Sequence, residues 1–219
     1  MKDDESSFSG SSANPYADAL PRPMPDRTPA RAAMEDALVQ WMTGSGRRPG
    51  ELTVSDLCRR AFVARSTFYA NYARVEDVLG AVEERLIREL AAAGRAMEDL
   101  SRGGDGVLES YDAFVAVLKT NLGTFHLLLI QTPDVQFIER WKRLLEYHFW
   151  QRLFSRGSTG DEIRRHDRPS TVNRALVLEM IASAFIAGVR LWLVDEEQVG
   201  TAELKALILR LIHDIDEVW

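Results

Sequence analysis

Arg65, Ser66, Thr67, Tyr69 and Asn71 fall within seven residues and are all side chains that can hydrogen-bond to nucleic acid. An arginine guanidinium can donate twice to the edge of guanine, and the serine and threonine hydroxyls can reach bases or phosphates. Tyr69 and Asn71 extend the same polar face. Such a set reads a duplex only when a short helix carries it into the major groove, with a second helix bracing it across the backbone. Phe68 and Tyr72, interleaved with the polar set, are expected to pack against Leu52, Leu57 and Val78 and so hold the reading face outward.

The flanking elements fit that requirement. Thr53, Val54, Ser55 and Asp56 have the form of a capping box: the Thr53 hydroxyl can accept an orphan backbone amide, and the Asp56 carboxylate favours a helix N-terminus. A helix to about Arg60, a connection of residues 61–64 and a second short helix over residues 65–72 give helix-turn-helix spacing. Upstream, Met34, Leu38, Trp41 and Met42 recur at helical spacing from Pro29, and Gly44, Ser45, Gly46 and Pro49 end that helix. Residues 31–75 hold seven arginines against four acids, a local excess of three positive charges in a chain of net charge -6. A cationic end on an acidic protein can approach a polyanion while the rest discourages non-specific adhesion. Arg47, Arg48 and Arg74 are the further candidate phosphate contacts, with Thr53 at the start of the bracing helix.

The remaining chain reads as helical. Val78, Leu79, Val82, Leu86 and Leu90 mark one stripe of a connecting helix over residues 75–101, whose register fades from Gly94. Helical stretches are predicted over residues 107–119, 122–131, 134–154, 171–194 and 202–218, with a polar loop over 155–169 and no alternating strand pattern, so the expected fold is all-α. Residues 1–28, with their prolines and a Ser/Gly-rich patch, are expected to form a disordered arm. That leaves a three-helix head over residues 29–74 and a helical body over 75–219. Residues 175–194 come closest to a membrane span, but Glu179 and Arg190 interrupt them; with no signal peptide legible, a cytoplasmic protein without membrane contact is expected. Cys58 is the single cysteine, which excludes an intramolecular disulfide and a cysteine-based zinc site; among apolar neighbours it reads as a small buried hydrophobe. His126 and His148 read as locally satisfied, no metal spacing or cofactor motif occurs, and no phosphate loop or nucleophile motif points to an enzyme.

The run Leu52-Thr53-Val54-Ser55-Asp56-Leu57-Cys58-Arg59-Arg60-Ala61, then Arg65-Ser66-Thr67-Phe68-Tyr69-Ala70-Asn71-Tyr72, then Glu76-Asp77-Val78-Leu79 resembles the N-terminal domain of the tetracycline-repressor (TetR) family over about forty residues. The resemblance implies a dimeric transcriptional regulator that binds a near-palindromic double-stranded operator, and a repressor released by a small-molecule effector. Three positions depart from the pattern: Phe62 replaces a frequent turn glycine, Ala64 a helix-capping serine and Val75 a phosphate-binding lysine. Phe62 implies that the turn avoids positive φ or is braced by the aromatic ring. With Val75 apolar, Arg74 is the candidate to supply the phosphate contact.

The resemblance also assigns the C-terminal helices to a homodimer interface and an effector pocket. Ala184, Ala187 and Gly188 allow close helix approach, and Leu204, Leu207 and Leu211 give the last helix an apolar face, so these are the candidate interface residues. Phe114, Phe125, Phe137, Trp141 and Phe149 are the candidate pocket lining, an assignment that competes with plain core packing. The alternative function is a protein-interaction module that keeps the fold without operator binding.

Overall fold

The computed structural model describes residues 14–100, 106–154 and 174–194 and positions 200, 202, 203, 206 and 210. Among them are eight α-helices and no strand, as the periodicity implies. Helix α1 (Pro29–Ser45) starts where Thr28 accepts the Arg31 amide and Pro29 occupies the first turn, and it stops at Gly46 in the left-handed conformation. After a 3-10 turn at Pro49–Glu51 come α2 (Val54–Arg60), α3 (Arg65–Asn71) and α4 (Val75–Leu100). Helix α4 runs unbroken past Gly94, where the apolar stripe fades, to Leu100.

The body comprises α5 (Gly106–Thr120), α6 (Leu122–His126) continued by a π-helical turn at Leu127–Gln131, α7 (Val135–Phe154) and α8 (Arg174–Val194). Helix α4 packs on α1 in the head and on α5 and α7 in the body, so one rigid element spans both. Asp134 caps α7 by accepting the Phe137 amide at 2.9 Å. Helix α8 has the length and hydropathy to cross a bilayer, and seven of its residues, from Leu178 to Trp192, are buried against the body.

The predicted disordered arm needs correcting for residues 14–28. This segment lies against three helices: Asn14 donates to the Tyr147 carbonyl at 3.1 Å, Asp18 pairs with Arg143 at 3.0 Å, and Arg88 donates to the Arg22 carbonyl at 2.6 Å. The Tyr16 ring meets Trp150 edge-on, and Arg27 reaches Glu35 at 2.8 Å. Its proline-rich composition cannot build a core of its own, but a finished helical surface offers the partners it lacks. Residues 1–13 lie outside the described residues, as do most of 202–218.

Candidate nucleic-acid interface

Helix α2 is capped as its sequence predicts. The Thr53 hydroxyl accepts the Asp56 amide at 3.1 Å and donates to the Asp56 carboxylate at 2.7 Å. Leu57 and Cys58 face inward. Burial pushes the Cys58 thiol upward in pKa, against a smaller opposing pull from Arg65, so the thiolate that redox chemistry needs is disfavoured.

Phe68 is fully buried and Tyr72 nearly so, joining Leu52, Leu57 and Val78 in the core as predicted, with the Phe68 and Tyr72 rings 6.1 Å apart. Behind Tyr72 sits a cluster that sequence spacing does not reveal. Glu35, 2% exposed, lies 2.8 Å from Arg27 and 3.6 Å from Arg85, and it accepts the Tyr72 hydroxyl at 3.3 Å. Arg31 covers the Tyr72 ring at 4.6 Å. Burial first, then the Glu35 carboxylate, raises the Tyr72 phenol to about 12, so it stays a donor at any ordinary pH. The end of α3 is thereby tied to α1 and α4 by a bound charge cluster as well as by apolar packing.

This anchoring turns Arg65, Ser66 and Tyr69 outward on one face of α3, while Thr67 and Asn71 are half-buried. The Arg65 guanidinium donates to the Ser55 hydroxyl across the α2–α3 corner, which positions it without neutralising it. Asn71 instead donates to the Thr67 carbonyl at 2.8 Å, spending one of its amide hydrogens within the helix. The Thr53 hydroxyl is engaged in the cap, though the residue is exposed.

The three unusual positions each take a definite form. Ala64 offers no side-chain cap to α3. Val75 is 4% exposed and belongs to the core, while the Arg74 and Ala73 amides donate to the Asp77 carboxylate at 2.8 and 3.1 Å, a cap for α4. The Arg74 guanidinium remains largely exposed, 3.5 Å from Asp77. Phe62 has φ 53°, so the turn keeps the left-handed geometry, and its ring is 95% exposed. Both sequence expectations for it are corrected: positive φ is not avoided, and the ring braces nothing among the described residues.

Arg47 and Arg48 are exposed on the connection after α1. Arg48 borders a cleft of about 940 Å³ at the junction of head and body, with Glu51, Glu76, Glu83 and Asp134 among its other walls. Glu83 on α4 is buried there beside Asp134 at the start of α7. Burial, reinforced by the Asp134 charge and opposed by Arg140, raises its carboxyl to about 7.

Among the pocket candidates, Phe114, Phe125, Phe137 and Trp141 are brought together as a buried aromatic cluster, with Phe125 and Trp141 5.4 Å apart and Phe114 5.0 Å from Phe185. Phe149 is buried two turns further along α7. Of the interface candidates, Ala184 and Ala187 are exposed and Gly188 is half-buried. Leu204, Leu207 and Leu211 lie outside the described residues.

No family model matches the sequence, and no curated protein matches it. Solved structures do. The TetR transcriptional regulator from Streptococcus agalactiae 2603V superposes with a TM-score of 0.57 at 22% identity, covering 84% of this chain and 93% of that one. The dihydroxyacetone kinase operon activator DhaS superposes with a TM-score of 0.55 at 14% identity, covering 85% of this chain and 93% of that one. These matches extend over the head and the body together, and the chain therefore has a TetR-like fold.

Proposed function

We propose that the protein is a homodimeric DNA-binding transcriptional regulator acting in the cytoplasm, a repressor that leaves a near-palindromic operator when a small-molecule effector binds. The observation that carries the DNA-binding reading is the outward face of α3, where Arg65, Ser66 and Tyr69 stand exposed while Phe68 and Tyr72 are buried beneath them. In this reading Arg65 and Ser66 reach base edges or phosphates, Tyr69 adds an aromatic contact, and Arg74 supplies the phosphate clamp that Val75 lacks. Thr53, Thr67 and Asn71 serve mainly to shape the two helices, and Arg47 and Arg48 add positive potential.

Dimerisation is supported by the outer face of α8. Leu176, Met180, Ala184, Ala187, Leu191 and Val194 recur at helical spacing and are exposed, with Met180 at 63% and Leu191 at 59%. A second copy covering that stripe would place two recognition helices about one helical turn of DNA, roughly 34 Å, or a multiple of it apart. Sedimentation as a monomer at micromolar concentration would remove the dimer. The effector is proposed to enter the aromatic cluster of Phe114, Phe125, Phe137 and Trp141, near Phe149, by parting the contacts between these rings. Repression and effector release are carried over from the family resemblance.

Selection of bound sequences from random double-stranded DNA tests the proposal. Enrichment of a two-fold symmetric site, bound with strong salt dependence, is the expected result. Absence of any enriched sequence would overturn it.

A further inference from the structure

Phe62 combines two costs that nothing among the described residues offsets. Its position is set by the backbone: the Ala61 amide donates to the Leu57 carbonyl at 2.9 Å and the Val63 amide to the Cys58 carbonyl at 3.0 Å, closing α2 in a motif whose middle residue must be left-handed. Glycine adopts that conformation freely, whereas a residue with a Cβ is strained there, and among the described residues Phe62 is the sole non-glycine with positive φ. The second cost is exposure, since 95% of the residue faces solvent and the ring gains no packing. A lone exposed aromatic is ordinary by itself, but one held in a strained left-handed turn is the kind of outlier that clusters at ligand contacts.

The surroundings state what kind of molecule. Phe62 lies between exposed Arg59 and Arg60 at the end of α2 and exposed Arg65 at the start of α3. Asp56, which pairs with Arg59 at 2.5 Å, offsets one of these three charges, so the α2–α3 corner that carries the ring is cationic. A polyanion that also offers apolar patches suits such a corner, and duplex DNA has them in its deoxyribose carbons and thymine methyl groups. Resting on the DNA-binding reading above, we infer that the Phe62 ring is a DNA contact, pressed by the left-handed turn onto an apolar part of the strand bordering the groove that α3 enters.

The test uses the full chain with Phe62→Gly and Phe62→Asn, both compatible with the left-handed turn, and DNA selected by the wild-type protein. Thermal melting is expected to equal or exceed wild type, because the strain is relieved, while affinity falls roughly five- to tenfold with lost apolar contact. The slope of log affinity against log salt should stay unchanged, as no phosphate contact is removed. Wild-type affinity in both variants would overturn the inference and leave the DNA-binding reading standing, and so would a changed salt slope. A wild-type protein that selects no DNA would remove both. Binding of an acidic protein that depends on Phe62, with DNA affinity intact in the variants, would also overturn the inference.

Discussion

Replacing Glu83 by glutamine should stabilise the protein, against the usual outcome of altering a buried side chain. Glu83 is 8% exposed and its carboxyl is raised to about 7, first by burial and then by Asp134, with Arg140 opposing. In the unfolded chain the same carboxyl titrates near 4.3, so between about pH 4.5 and 7 the folded state holds the proton more firmly. Stability from this group is therefore present at low pH, declines as pH rises through that window, and is flat above it. Glutamine is neutral throughout, nearly isosteric, and keeps a donor for Asp134. At pH 8 the variant should gain about 2 to 3 kcal/mol, which for a chain of this size is roughly 5 to 10 °C in melting temperature. Circular dichroism melts of both proteins at pH 5, 6, 7 and 8 measure the difference directly, and Glu146, also raised to about 7, contributes equally to both curves. The gap should be smallest at pH 5, about 1 kcal/mol, and widen steadily to its full value by pH 8. A variant less stable than wild type at pH 8, or a gap independent of pH, would refute the reasoning.

Gly94→Ala should lower the melting temperature even though alanine is the better helix former by about 1 kcal/mol, because its Cβ would stand 2.3 Å from the buried His148 Nε2. Thermal melting checks it, and a stabilised variant would contradict it. Glu35→Ala removes the acid that holds Arg27, Arg85 and the Tyr72 hydroxyl, and should cost about 3 kcal/mol in denaturant unfolding. On selected DNA, Arg65→Ala should weaken binding by about 1 to 3 kcal/mol, while Arg74→Ala should reduce the salt slope by about one. Fluorescence anisotropy across a salt series separates the two, and an unchanged slope for Arg74→Ala would remove its role as phosphate clamp.

The helices could be read from the chain itself, because caps and apolar periodicity act between neighbours. Thr53 and Asp56 start α2, Gly46 ends α1, and Phe68 with Tyr72 falls on the inner face of its own segment. Of the candidate reading face, Arg65, Ser66 and Tyr69 remain outside once the anchors are buried, while the half-burial of Thr67 and Asn71 follows from packing that the sequence does not show. What the chain leaves open concerns partners far away in sequence. Residues 14–28 lack a core of their own, and although Arg27 pairs with nearby Glu35, residues 14–22 lie on helices 60 or more positions distant, as the separation of 62 positions from Arg22 to Glu84 illustrates. The aromatic residues of α5 to α7 have one pattern whether they line a pocket or fill a core, and only the packing places four of them in mutual contact. Glu83 looks like an ordinary surface acid until α4 and α7 meet beside Asp134 and burial favours its uncharged form. Phe62 shows the division within one residue: its identity is plain in the sequence, but the left-handed turn and the exposed ring are set by how α2 hands the chain to α3. Local periodicity specifies which faces are apolar, and tertiary packing decides which of them are covered, which groups lose their water, and which side chains are left facing out.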